Sequence, residues 1–304
     1  MKLAIDGRTE DPSGCEKMLS ALAEASCRGD MNDVSILLAR LAIGLPFAYA
    51  HFNEGEVRAA TQTKGSVLSG LQRYSPELKS QMRWAIGKTH PHLYVGLPCR
   101  AEFPRDYLSA LTLVSGGRDR RTAATLFMNG NYRAVRELVP TLLRWRTAGG
   151  PGRTGSLHLV VGLKANITRF EEHTQLSPKQ VLRAPAANSF SAYSTLKTAY
   201  QSFQGGDVVI LCCGVLGRLL AADWVTRRPN TTFLELGSFF TPAFGDVKLQ
   251  AYHRDHRWRP GCATYKDESI DRNVFAPMRR CLQAHYMYAP RGVQAMETDG
   301  LKVM

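Results

Sequence analysis

The sequence lacks most of the features that would assign it a class quickly. No apolar run reaches the ~20 residues that a bilayer span requires. The start, MKLAIDGRTEDPSG, has no apolar core of the signal-peptide kind. A cytoplasmic protein is therefore expected. The seven cysteines are odd in number, scattered, and contain no C-x-x-C pair. That excludes a disulfide framework and fits a reducing compartment. There is no G-x-S-x-G elbow, no Walker A lysine, no internal repeat, no low-complexity segment and no long basic block.

What is present is a chain of 304 residues, 44% of them hydrophobic. That is enough for one large or two small domains with a sizeable core. The net charge is +13, from 39 Lys+Arg against 26 Asp+Glu. Such an excess favours anionic partners: nucleic acid, a membrane surface or phosphorylated small molecules. The basic residues are spread out, as in Arg118, Arg120, Arg121 and Arg254, Arg257, Arg259, so a solvated basic surface is the simplest reading.

The chain alternates between strand and helix signals. Residues 1–30 are polar and read as a loosely attached N-terminal segment. Asp33 starts a helix through Val34, Leu37, Leu38 and Leu41. The short apolar run from Phe47 predicts a strand, and residues 56–72 a short helix or loop. Ser75-Pro76 predicts a helix with Ser75 as cap. Strands are expected at 92–98, 123–128, 157–163, 181–184, 207–213 and 232–236. Helices are expected at 104–114, at 132–145 with a kink or break at Pro140, at 190–203 and at 218–225. Continuous Val/Ile/Leu strands alternating with helices predict an α/β fold: a doubly wound, mostly parallel, Rossmann-like sheet with helices on both faces. This domain spans 31–250. The remaining 251–304 form a Tyr-, Arg- and His-rich extension packing on it, with one helix over 271–288.

Two stretches carry chemistry. FAYAHFNEGE, Phe47 to Glu56, is a strand opening into a loop with carboxylates Glu54 and Glu56 either side of Gly55. Acids at the C-terminal end of a buried strand stand where open α/β sheets bind ligands. One or two carboxylates plus substrate phosphates are how proteins hold Mg²⁺ or Mn²⁺. The plainer alternative is a helix start whose acids favour the positive end of the dipole. DVVILCCGVLGRLLAADW is a strand, a G-x-x-G turn and a helix. Its helix N-terminus can hold a phosphate near Gly214 or Gly217, or the glycines can serve packing alone. Cys212 stands where the first glycine of a dinucleotide fingerprint belongs. Cys212 and Cys213 read as small core residues. His253, Asp255, His256 and Cys262 match no recognised zinc pattern, and His90 and His92 read as structural. FLELGS resembles the first motif of methyltransferases that use S-adenosylmethionine, but Phe239-Phe240 replace its later glycines.

Taken in order, several stretches resemble the glycosyltransferases of the GT-D fold type, bacterial enzymes with a D-x-E motif. These stretches are His51-Phe52-Asn53-Glu54-Gly55-Glu56, then Leu93 to Pro98, then Val160 to Asn166 with Lys164. Pro185 to Tyr193 with Asn188 follows, and then the Gly214–Gly217 unit leading to Leu234-Glu235-Leu236-Gly237. The resemblance covers roughly residues 45–245, and it rests on the order and spacing of these motifs. His51 stands where the family has arginine, and Glu54 and Glu235 where it has aspartate.

The resemblance implies transfer of a sugar from a nucleoside diphosphate sugar, a UDP-sugar first, to a hydroxyl of a glycan acceptor. It implies Glu54 and Glu56 as catalytic and metal-binding residues, with Mn²⁺ or Mg²⁺. It implies donor contacts from His51, Asn53, Lys164, Asn166, Asn188, Gly214, Gly217 and Glu235. Glutamate for aspartate moves a carboxylate by one methylene and leaves direct, water-mediated and metal-free arrangements open. A homo-oligomer is a further expectation. The rival from another class is a basic nucleic-acid-binding module, disfavoured because the strands carry no exposed aromatic and basic interleaving.

Overall fold

The computed structural model describes residues 33–61, 72–98, 103–114, 120–123, 132–147, 155–241 and 243–245. The expectations for 1–30, for the strand beyond Ala123 and for the whole C-terminal extension lie outside these residues.

The strands are β1 (Ala48–His51), β2 (Leu93–Leu97), β3 (Arg120–Ala123), β4 (Leu157–Gly162), β5 (Gln180–Ala184), β6 (Val208–Cys212) and β7 (Thr232–Glu235). They form one sheet in the order β3-β2-β1-β7-β6-β4-β5. Every pairing is parallel. The helices are α1 (Asp33–Ala42), α2 (Glu54–Thr61), α3 (Pro76–Gly87), α4 (Pro104–Leu113), α5 (Tyr132–Thr147), α6 (Ile167–Thr174), α7 (Tyr193–Leu196) and α8 (Val215–Arg227). No helix among the described residues is long and apolar enough to cross a membrane.

Side-chain alternation splits the core in two. Ala48, Ala50, Leu93, Val95, Val209, Leu211 and Phe233 join α2, α3, α4 and α8 in one cluster. Tyr49, Tyr94, Leu159, Val161, Ile210 and Leu234 join α1, α5 and α6 in the other. Helices thus cover both faces, as a parallel sheet requires. Each large side chain fully buried here contributes about 1.5–3 kcal/mol. Helix α8 is buried nearly all round, from Val215 to Val225. It lies over β1, where Ala48 and Ala50 keep the strand surface low.

Local signals explain most elements. Ser75 Oγ accepts from the Leu78 amide at 3.0 Å, as an N-cap should. Helix α5 runs from Tyr132 to Thr147 with Pro140 inside it, so the proline does not end it. Residues 190–203 do not form one helix. A 3-10 turn over Ser189–Ala192, the short α7 and a second 3-10 turn over Ala199–Ser202 replace it. Phe190, Tyr193 and Leu196 are partly buried against the core from this segment. Helix α6 lies where none was expected, capped by Asn166, whose Oδ1 accepts from the Arg169 amide at 3.0 Å.

β1 lies at the centre of the sheet, between β2 and β7. The C-terminal ends of β1 and β7 therefore stand side by side, at the edge beyond which ligands bind in parallel α/β sheets.

Candidate active site

Four side chains, most of them distant in sequence, meet at this edge. His51 ends β1, Glu235 ends β7, Glu56 lies in the first turn of α2 and Arg218 in the first turns of α8. All four are buried. Arg218 Nε donates to the His51 carbonyl at 2.7 Å. Its Nη2 faces His51 Nε2 at 2.9 Å and Glu56 Oε1 at 3.3 Å, and its Nη1 is 3.8 Å from Glu235 Oε1. His51 Nδ1 meets Glu235 Oε2. Arginine can only donate, so His51 Nε2 accepts and the ring proton is assigned to Nδ1, facing Glu235. Glu235 Oε1 also accepts the Gly237 amide at 3.1 Å.

Burial pushes the Glu235 carboxyl up, but Arg218 and His51 outweigh it and hold the group below the usual range. Burial likewise opposes the charge on Arg218, and Glu235 and Glu56 overcome it. Breaking one member of such a set leaves buried charge uncompensated.

The two acids of the E-x-E segment differ in what they touch. Asn53 precedes α2, and its carbonyl accepts the Val57 amide at 3.1 Å. Its own amide donates to Glu56 Oε2 at 2.9 Å, which is the reciprocal half of a capping box. Both Glu56 oxygens are thus engaged, one by the helix start and one by Arg218. Glu54 is half-buried, and its carboxylate bonds only its own backbone amide among the described residues. Arg58, one turn on, is taken by Asp106 of α4 through two bonds of 3.0 and 2.7 Å. Burial pushes the Glu54 carboxyl above its ordinary value, and the charges of Glu56 and Asp106 add to the rise.

The remaining expected residues sit around the same edge. Lys164 is exposed in the turn after β4. Asn166 is likewise exposed, with its oxygen spent on capping α6. Asn188 adopts φ 52, and its Oδ1 accepts from Gln72 Nε2 at 2.6 Å. Gly214 precedes α8 with φ +63, a conformation that favours glycine. Gly217 faces inward: a Cβ there would lie 3.1 Å from Glu235 Cγ and 3.3 Å from Leu211 Cβ. Its role in the structure is close packing of helix on strand.

Cys212 and Cys213 lie beside the cluster. Burial pushes both thiols up, so neither is a ready nucleophile. Among the described residues no group of three or more His, Cys, Asp or Glu could hold a metal ion. The motif His253 to Cys262 falls outside them.

The sequence reading missed Arg218 and Gln72 as site residues. A signal existed for Arg218, the one charged residue in the apolar stretch VLGRLLAA. Gln72 carries none, because its role depends on contacts with Asn188 and Phe190, 116 and 118 residues further along the chain.

No protein-family model matches the chain, and no curated protein sequence does. Solved structures do. One, of a selenomethionine-substituted domain of unknown function 1792, has a TM-score of 0.51 at 15% identity, covering 80% of this chain and 87% of that one. A second is described as showing that this highly conserved domain has a distinct glycosyltransferase fold, with a TM-score of 0.51 at 13% identity over 80% and 87% of the two chains. A third is described as a new glycosyltransferase of the same domain from Streptococcus sanguinis, with a TM-score of 0.50 at 14% identity over 74% and 85%. At this level of identity the likeness shows the fold alone: the chain shares the parallel α/β fold of these structures.

Proposed function

We propose that this chain transfers a sugar from a nucleoside diphosphate sugar, a UDP-sugar first, to a hydroxyl of a glycan acceptor, as the GT-D resemblance implies. The observation that carries this reading is Glu54. Among the described residues it is the one carboxylate at this edge without a hydrogen-bonded or ion-paired side chain, while Glu56, Glu235 and Asp106 are all neutralised. The donor lies along the C-terminal edge, between Glu54 and the Gly214 turn. Lys164 and Asn188 are at the rim.

A departing diphosphate needs its charge stabilised. The described residues offer one free carboxylate here, which suits a divalent cation shared with substrate phosphates and not one held by protein alone. Glu54 would hold Mn²⁺ or Mg²⁺ in that way, and the ion would neutralise charge on the leaving group. Glu56 works from below, fixing the start of α2 and the position of Arg218. His51 and Glu235 hold Arg218 from the other side. Asn53 contributes its backbone to the same helix start.

Donor hydrolysis and transfer across a panel of nucleoside diphosphate sugars, with and without Mn²⁺, tests the reading. Turnover of one donor, raised by Mn²⁺ and lost in Glu54→Gln, is expected. Thermal stabilisation by RNA together with none by any nucleotide sugar would replace it with the nucleic-acid alternative.

A further inference from the structure

We propose that Arg169 reads an anionic group, a carboxylate or a phosphate, on the sugar acceptor. Arg169 lies in the first turn of α6, the helix that follows β4 at the C-terminal edge of the sheet. The helix dipole opposes a cation at that end. No group among the described residues offsets this. The side chain is partly buried, yet its guanidinium has no hydrogen bond or ion pair among them. Its Nε is fully closed off and has no acceptor. The helix's own acids, Glu171 and Glu172, form no ion pair with it. Buried donors are normally satisfied, above all on a charged group, so this one calls for a missing acceptor.

The arginine sits in a built surround. Gly245, with φ +87, closes on its stem: a Cβ there would lie 3.1 Å from Arg169 Cδ and 3.2 Å from Nη1. A side chain at 245 would strain the backbone and push the guanidinium aside. The Asn166 amide donates to the Phe244 carbonyl at 3.4 Å, which ties this loop to the start of α6. Phe170 stacks on Phe244 with ring centroids 5.2 Å apart. The turn before α6 is fixed by Arg183, whose Nη1 donates to the Gly162, Leu163 and Ala165 carbonyls at 3.2, 3.3 and 2.7 Å. Arg183 thus spends its donors on backbone, whereas Arg169 keeps its own. A guanidinium fork matches the paired oxygens of a carboxylate or phosphate. Lys164, exposed in the turn that Arg183 fixes, adds to the positive field.

This anion is separate from the diphosphate. Helices α2 and α8, which carry Glu54 and follow Gly214, cover one face of the sheet, and α6 covers the other. The chain from Glu235 to Gly245 leads from the acid cluster to Arg169. A donor held at the first end leaves the second for the molecule that receives the sugar. Assigning the anion to the acceptor rests on the glycosyl-transfer reading; the unmatched guanidinium does not.

Calorimetric titration of the full chain with glucuronate, glucose 6-phosphate and glucose tests the assignment, with and without saturating pyrophosphate. The parent should bind one or both anionic sugars and not glucose, whether or not pyrophosphate is present. Which of the two binds tells carboxylate from phosphate. Arg169→Gln should weaken that binding about ten- to a hundredfold, the scale of a hydrogen bond to a charged group. Arg169→Lys keeps the charge without the fork and should fall between. The melting temperature of Arg169→Gln should hold or rise, since the guanidinium has no partner among the described residues to lose. A structural arginine would give a lower melting temperature with unchanged affinity, and that result overturns the assignment. Equal binding of glucose, no binding of either anionic sugar, or displacement by pyrophosphate overturns it too. Arg169-dependent binding of an anionic sugar with no transfer from any donor keeps the site and removes the glycosyl-transfer reading. Mn²⁺-dependent transfer with anion affinity unchanged in both variants does the reverse.

Discussion

Both ends of the sheet bury a histidine against a carboxylate, and the two pairs are built for different ends. At the N-terminal edge, His158 of β4 meets Asp207, just before β6, at 3.0 Å. Asp207 also accepts the Ser156 and Gln204 amides, each at 2.7 Å. All its capacity goes to tying loops together. Burial pushes the Asp207 carboxyl up, but the bonds from His158, Gln204 and Ser156 outweigh it and hold it below the ordinary value of 3.8. The backbone is equally closed there, since a Cβ on Gly155 would collide with the Gly206 carbonyl. At the C-terminal edge, the His51–Glu235 pair is joined by Arg218 and Glu56, while Glu54 stands beside them with no side-chain hydrogen bond or ion pair among the described residues. No described atom lies within 4 Å of a Cβ placed on Gly162 at that edge. A buried His–carboxylate pair therefore does not mark a site. Leftover charge and leftover space beside it do.

Substitutions can break this contrast or sharpen it. The largest effect is expected from Arg218→Met, which leaves Glu56 and Glu235 buried without their cation. A loss of about 3–5 kcal/mol in chemical denaturation is expected, far more than for any change at Glu54. Glu54→Gln should cut turnover about 10²-fold, the scale of one preorganised interaction. Its unfolding free energy should stay within about 0.5 kcal/mol of the parent. The acid limb of the pH–rate profile should lie above the ordinary 4.5, because the folded carboxyl is raised.

Asp207→Asn should show the converse, losing about 1–3 kcal/mol of stability with turnover per folded molecule unchanged. The pH sign follows from the lowered folded value. The clasp contributes fully above 3.8 and is lost as pH falls through the depressed folded value, so the gap between parent and variant should close there. Urea midpoints across acid pH would show it. Among the glycines, Gly155→Ala should cost about 1–3 kcal/mol by overpacking. Gly162→Ala should stay within about 0.5 kcal/mol. Equal costs at the two glycines would erase the open-versus-closed distinction.

The fold was legible because its strands carry their burial in composition. DVVILCC can only be a covered strand, and the Ser75-Pro76 start fixes α3 by cap chemistry alone. Helix α6 was not legible, because ITRFEEHT is mostly polar and buries only Phe170 and Thr174. The acidic segment stands out in the sequence, but the different contacts of its two acids do not. That difference depends on where Arg218 and Asp106 arrive, and these lie 162 and 52 residues further on than Glu56 and Glu54 respectively. Residues 190–203 were expected as one helix, whereas the structure divides them into two 3-10 turns around the short α7.

The position of β7 has a consequence for how the protein comes into being. Before Thr232–Glu235 is made, β1–β3 and β4–β6 share no strand hydrogen bond; the last strand enters between β1 and β6 and joins them. Contacts so far apart along the chain form late and slowly. The same strand brings Glu235 to His51 and Arg218. A nascent chain on the ribosome can therefore shape both wings of the sheet and still have no acid cluster, so that closure of the sheet and assembly of the cluster arrive in one step.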